Sequence, residues 1–225
     1  MSLELLAAVL SIVVIDLTLS GDNAVVIGMA AHQLPLSQRR IAIVVGGGGA
    51  IALRVLFAAL AALLLSIPLL QAIGGLILAW IAFKLLRQEE ESQATHKVGV
   101  SLGDAVKIIV LADVVMSLDN ILAVGGASHG SVELLAFGLL LSMPIVMLGS
   151  SILAGLMSRL RWLVYVGAGV LAWTSGQMIV EDRLVGRFLP HHWGVQVGLP
   201  LLIAAVVFGA SAGWRRVRRP GKVSA

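Results

Sequence analysis

The chain has 225 residues, of which 59% are hydrophobic and 12% charged, with a formal net charge of +4. Soluble domains carry about 25% charged residues, so a mean hydropathy of +1.00 puts the long apolar runs in lipid and excludes one soluble core. With no cysteine, disulfides and thiolate metal sites are excluded too, and any bound metal must accept oxygen or imidazole ligands.

Seven apolar segments of about 20 residues follow one another, predicting an all-α polytopic membrane protein with spans near 5–31, 40–65, 67–86, 103–127, 132–156, 161–180 and 194–214. The first lacks a basic leader and runs too long for a cleaved signal peptide, so it is expected to remain as a span. Breaks are expected at Pro35, at Ser66-Ile-Pro68, through the charged stretch 87–101, at His129-Gly130, at Ser158-Arg159 and over 181–193. The run Glu89-Glu90-Glu91 reads as a solvated loop or surface helix without chemistry.

Lys and Arg set the expected orientation. Arg39, Arg40, Lys84, Arg87, Lys97, Lys107, Arg159, Arg161, Arg215, Arg216, Arg218, Arg219 and Lys222 fall on one side, and only Arg183 and Arg187 on the other. The positive-inside rule then gives N-out, C-in. Basic residues confined to loops and the tail also argue against a nucleic-acid partner.

Spans one and four share a polar pattern. Asp16-Leu-Thr-Leu-Ser20-Gly-Asp22-Asn23 recurs 97 residues later as Asp113-Val-Val-Met-Ser117-Leu-Asp119-Asn120, and Gly28, Ala30 and His32 are matched by Gly125, Ala127 and His129. A second echo links Gly74 and Leu78-Ala79-Trp80 to Gly167 and Leu171-Ala172-Trp173. Three spans followed by three more must place the second copy upside down. The expected plan is therefore a 3+3 inverted repeat, 1–86 and 103–180, joined by a cytoplasmic linker at 87–102 and followed by a seventh helix and basic tail over 181–225.

Four acids at membrane depth, Asp16, Asp22, Asp113 and Asp119, cannot sit there uncompensated. Arg54 is the one basic side chain deep in the spans, and one Arg cannot neutralise four Asp. The surplus negative charge suits a cation. Asp16, Ser20 and Asn23 fall at i, i+4 and i+7 on one helix face, as do Asp113, Ser117 and Asn120. Asp22 and Asp119 stand about 120° away on a regular helix. Gly21 could relax the backbone there, whereas Leu118 holds the equivalent position in the second copy. Carboxylate, amide and backbone oxygens suit Mn²⁺, Mg²⁺ or Ca²⁺. The competing reading makes these acids proton-relay groups or structural hydrogen-bonding groups.

Arg54 reads either as a structural counter-charge or as a gate that an incoming cation displaces. His32 and His129 lie on opposite membrane faces, at vestibules or simply in water. Gly46 to Gly49 read as a helix-packing surface rather than a phosphate loop, and Met116, Met143 and Met147 as packing residues. Ser142-Met-Pro144 and Ser150-Ser151 could wall a pathway near Arg54, and His191-His192 resembles a metal-ligand pair only weakly. No GxSxG, P-loop or HExxH signature is present, which predicts a protein that is not an enzyme and has no organic cofactor.

The two Asp-Asn segments resemble the signature segments of the TerC family of integral membrane proteins, within the LysE-type transporter superfamily, and the likeness runs through all seven spans of its compact bacterial branch. The resemblance implies manganese efflux across the cytoplasmic membrane. By motif match, Asp16, Asp22, Asn23, Asp113, Asp119 and Asn120 would form the metal site, supported by Ser20, Ser117 and Arg54. It also leaves room for tellurite resistance, or for a scaffold that metallates partners. Expected partners are the bilayer and the transported ion, with Mn²⁺ first and Ca²⁺ second. The sequence leaves the oligomeric state open, a homo-oligomer included.

Overall fold

The computed structural model describes residues 3–60, 64, 67–95, 100–127, 131–189 and 192–217, with side chains described outside 3–6, 58–59, 93–95, 119–127, 132 and 215–217. Among the described residues every element is helical: α1 (Leu3–Leu19), α2 (Gly21–His32), α3 (Leu36–Ala59), α4 (Leu70–Thr95), α5 (Leu102–Ala127), α6 (Val132–Arg159), α7 (Trp162–Glu181), α8 (Val185–Phe188) and α9 (Trp193–Val217).

Five of these, over Leu36–Phe57, Leu70–Ser92, Glu133–Arg159, Trp162–Glu181 and Trp193–Trp214, are long and apolar enough to cross a membrane. The first expected span is broken, with α1 and α2 meeting at a 55° bend and passing as a sixth crossing only when taken together. The bend sits where the sequence weakens the helix. Ser20 leaves helical geometry at φ −100°, ψ 12°, and Gly21 follows with open space where a Cβ would stand. Thr18 Oγ1 bonds back to the Val14 carbonyl at 2.7 Å, which loosens the preceding turn. In the second copy α5 runs unbroken through Asp113–Asn120, because Leu118 supplies no such weakness. At 26 residues it extends about 39 Å, which exceeds the bilayer core.

Of the two forms expected for the charged stretch, the helix is present as far as Thr95, where α4 ends, but Glu89 is not on the surface: it is only 6% exposed because it meets His32, as described below. The expected break at Pro68 is present as a turn in which Leu69 takes a left-handed φ of 63°. The expected break at His129-Gly130 lies outside the described residues.

Packing rests on small residues that let helices approach. A Cβ on Gly46 of α3 would run into Ile109 of α5, and one on Gly138 of α6 would run into Ile12 of α1. Ile12 and Ile109 are 97 residues apart, the offset of the Asp motifs, and Gly46 and Gly138 are 92 apart. The same ridge thus enters the same notch twice, with the chain order exchanged. α4 and α7 pack against each other, and Ser175 Oγ donates to the Gly75 carbonyl at 2.6 Å. Pro200 of α9 presses on Gly176 of α7. Met147 faces Gly47, so the glycine run serves packing as expected. Asp182, after α7, is 2% exposed and accepts from the Ala72, Leu184 and Val185 amides at 2.9–3.2 Å, capping the starts of α4 and α8.

Candidate functional site

Both copies of the polar motif converge on Arg54. Its Nη1 donates to Asp16 Oδ1 at 2.5 Å and to Ser20 Oγ at 3.2 Å. Its Nη2 donates to Asp113 Oδ1 at 2.6 Å, and its Nε to Ser117 Oγ at 3.0 Å. The i, i+4 spacing makes this reach feasible, because each Asp and Ser stand one above the other on a helix face. Ser142 of α6 completes the cluster by donating to Asp16 Oδ2 at 2.6 Å. The three charged side chains are all buried: Asp16 at 0%, Asp113 at 2% and Arg54 at 5% exposure. One guanidinium is thus set against two carboxyl groups.

Asp22 and Asn23 lie past the bend, at the start of α2. The Asn23 amide N–H donates to Asp22 Oδ1 at 2.9 Å, and the Asp22 side chain also meets Thr174 of α7. Asn23 itself is 1% exposed, yet among the described residues neither its Oδ1 nor its Nδ2 has a hydrogen-bond partner. A buried primary amide left unpaired costs about 1–3 kcal/mol, a penalty that a ligand bearing charge or polar groups would relieve.

Of the expected metal ligands, Asp16 and Asp113 come together, but around Arg54. Asp22 and Asn23 form a second polar group next to the bend. The side chains of Asp119 and Asn120 lie outside the described residues, although α5 carries both on a continuous helix. Among the described residues no three carboxylate or imidazole groups are arranged to hold a metal ion. Of the serines expected to wall a pathway, Ser142 reaches the cluster, while Ser150 bonds back to the Val146 carbonyl of its own helix at 2.7 Å. Thr174 escaped the sequence reading, since its repeat mate at offset 93 is the apolar Ile81 and no echo marked it.

His32 proves to be buried. It is 7% exposed, with Nδ1 2.7 Å from the Met29 carbonyl and Nε2 2.9 Å from Glu89 Oε2. The partners are 57 residues apart, and the neighbouring glutamates disguised Glu89 as part of a solvated run. His129 and His191 lie outside the described residues, and His192 directly precedes α9.

The likeness to known proteins covers nearly the whole chain. The family described as "Integral membrane protein TerC family" matches residues 1–219. The uncharacterized membrane protein YjbE of Bacillus subtilis is 42% identical over 216 residues, which is 96% of this chain and 99% of that protein. The uncharacterized membrane protein YceF of the same organism is 32% identical over 140 residues, covering 58% of this chain and 54% of YceF. No solved structure matches the chain. With its duplicated acidic motif buried among apolar helices and the family match running almost end to end, the chain belongs to the TerC family of integral membrane proteins.

Proposed function

We propose that the protein is a secondary transporter that exports a divalent cation, Mn²⁺ in the first place and Ca²⁺ in the second, from the cytoplasm. The observation that carries this reading is Asn23: a fully buried amide without a partner among the described residues, beside Asp22, at a bend in a membrane helix. Groups of this kind inside a membrane mark ion paths more often than structural joints. Asp16, Asp22, Asn23 and Asp113, with Asp119 and Asn120 from the second copy, are the proposed ligands. Ser20 and Ser117 hold the acids in place.

In this reading Arg54 is a tethered cation that occupies the carboxylates when the transported ion does not. A divalent ion brings twice the charge of the guanidinium and accepts more oxygens, so it can compete for Asp16 and Asp113 and drive Arg54 aside. The bend at Ser20–Gly21 lets α2 move relative to α1 as this exchange occurs. Seven spans, an inverted 3+3 repeat, the N-out, C-in orientation and the cytoplasmic membrane complete the proposal. Its support is the doubled Ile–Gly notch, the meeting of both motif copies at one residue, and the thirteen-to-two division of the loop and tail basic residues. Export against a gradient requires coupling to protons or sodium.

The saturated Asp16–Arg54–Asp113 network favours a second reading, in which the acids only tie the helices of a scaffold or metallation chaperone together, or serve tellurite resistance without ion transport. Everted vesicles separate the two. Mn²⁺ uptake should fall at least tenfold in Asp16→Asn and Asp119→Asn while the folded protein persists. Undiminished uptake in both variants would reject the cation site. Collapse of folding in each variant, with no thermal stabilisation of the wild type by Mn²⁺, would favour the scaffold.

A further inference from the structure

The pair His32–Glu89 has a proton count that its geometry restricts. The Met29 carbonyl can only accept, so His32 Nδ1, 2.7 Å away, must carry a hydrogen. A neutral imidazole would then turn the lone pair of Nε2 toward Glu89 Oε2, 2.9 Å away. Two lone pairs at that distance repel. The contact is therefore attractive only when one further proton lies in it, either as imidazolium with carboxylate or as neutral imidazole with carboxylic acid. Both side chains are almost fully buried, at 5% and 9% exposure, so water cannot replace the missing hydrogen bond cheaply.

The surroundings fix the pair in place. His32 is the last residue of α2. The Arg39 guanidinium of α3 donates to the His32 and Leu34 carbonyls at 2.6 and 2.9 Å and fixes this end in place. The other charged residues at this end of the packed elements are Arg40 of α3, Lys84, Arg87, Glu90 and Glu91 of α4, Asp104 and Lys107 of α5, Arg159 of α6 and Arg161 before α7. Arg87 and Glu91 pair with each other at 3.5 Å. Those of 96–99 and 215–222 lie outside the described side chains.

We propose that His32 and Glu89 form a buried proton-binding site that α2 couples to the cation site. The helix has 12 residues, about 18 Å of rigid rod. Asp22 and Asn23 stand at its start and His32 at its end, and it hinges at Gly21. A cation that draws the start of α2 toward Asp16 and Asp113 shifts its far end away from Glu89. The Nε2–Oε2 contact then opens and the proton leaves. Linkage is reciprocal, so a proton bound at His32–Glu89 weakens cation binding by the same factor. The coupling rests on the transport reading above. The proton site rests on hydrogen-bond geometry alone.

Glu89→Gln is the informative variant, because its amide can donate to neutral Nε2 and keep the contact without a titrating proton. Mn²⁺ affinity of the full-length protein in nanodiscs is measured between pH 6 and 8 by the EPR signal of free Mn²⁺. Over the pH range in which the ion-free pair holds its proton, one coupled proton makes the wild-type dissociation constant fall up to about tenfold more per pH unit than that of Glu89→Gln. Equal slopes in the two proteins would overturn the coupling. An acid–base titration of the ion-free proteins, wild type minus Glu89→Gln, should show one additional proton released as the pH rises, and a flat difference would overturn the proton site. Should the wild type bind no Mn²⁺ at all, the transport reading fails, and the difference titration alone decides whether the pair holds its proton.

Discussion

Arg54 and Asn23 stand for two opposite ways of placing polarity in a membrane. Arg54 has hydrogen bonds to two carboxylates and two hydroxyls, and truncating it would strand two buried acids. Removing one partner of a buried ion pair costs about 3–5 kcal/mol, so Arg54→Ala should lower the thermal unfolding midpoint in detergent sharply, whereas Arg54→Lys, which keeps the charge but loses the fork, should lower it less. Asn23 has no partner among the described residues, so Asn23→Ala should leave the ion-free protein as stable as the wild type, or more stable by about 1 kcal/mol. The residue types of the site were legible in the sequence, since four acids in apolar spans cannot be accidental. Their partners were less so. Counting charges identified Arg54 as the lone internal cation, but not that it bridges both motif copies. Glu89 was lost because burial by a residue 57 positions away leaves no local pattern.

The helices were legible nearly to their ends, because apolar length alone defines a span. Their internal irregularities were legible where a residue type forces them. Gly21 announced the bend between α1 and α2, and Leu118 explains why α5 stays straight. The extension of α4 to Thr95 was legible only as one of two alternatives, since a charged helical turn and a charged loop have the same composition. A Cβ at Gly21 meets nothing within 4 Å, so Gly21→Ala should cost no packing and gain about 0.5–1 kcal/mol of helix stability. It should also slow Mn²⁺ flux, since it stiffens the hinge. At Gly46 and Gly138 the reverse holds. Leucine at either position displaces an isoleucine ridge, and overpacking of this kind costs about 1–3 kcal/mol. The two variants should be destabilised to similar extents in a denaturation assay, because the two notches take the same ridge.

For the whole molecule, the proposed inverted repeat would set two halves face to face with the polar motifs between them and the basic residues on the cytoplasmic side. The absence of native cysteine makes this topology directly testable. In intact cells a membrane-impermeant maleimide should label Arg187→Cys and leave Arg216→Cys unlabelled until the membrane is opened; the opposite pattern would reverse the orientation. The central claim, that these buried acids and amides bind a transported cation rather than merely join helices, is tested most directly at Asn23. Mn²⁺ flux into proteoliposomes and the unfolding midpoint should be measured side by side for the wild type and Asn23→Ala. A cation site predicts flux reduced at least tenfold with the midpoint unchanged or raised. Wild-type flux in Asn23→Ala, or a flux loss that merely follows a lowered midpoint, would contradict it.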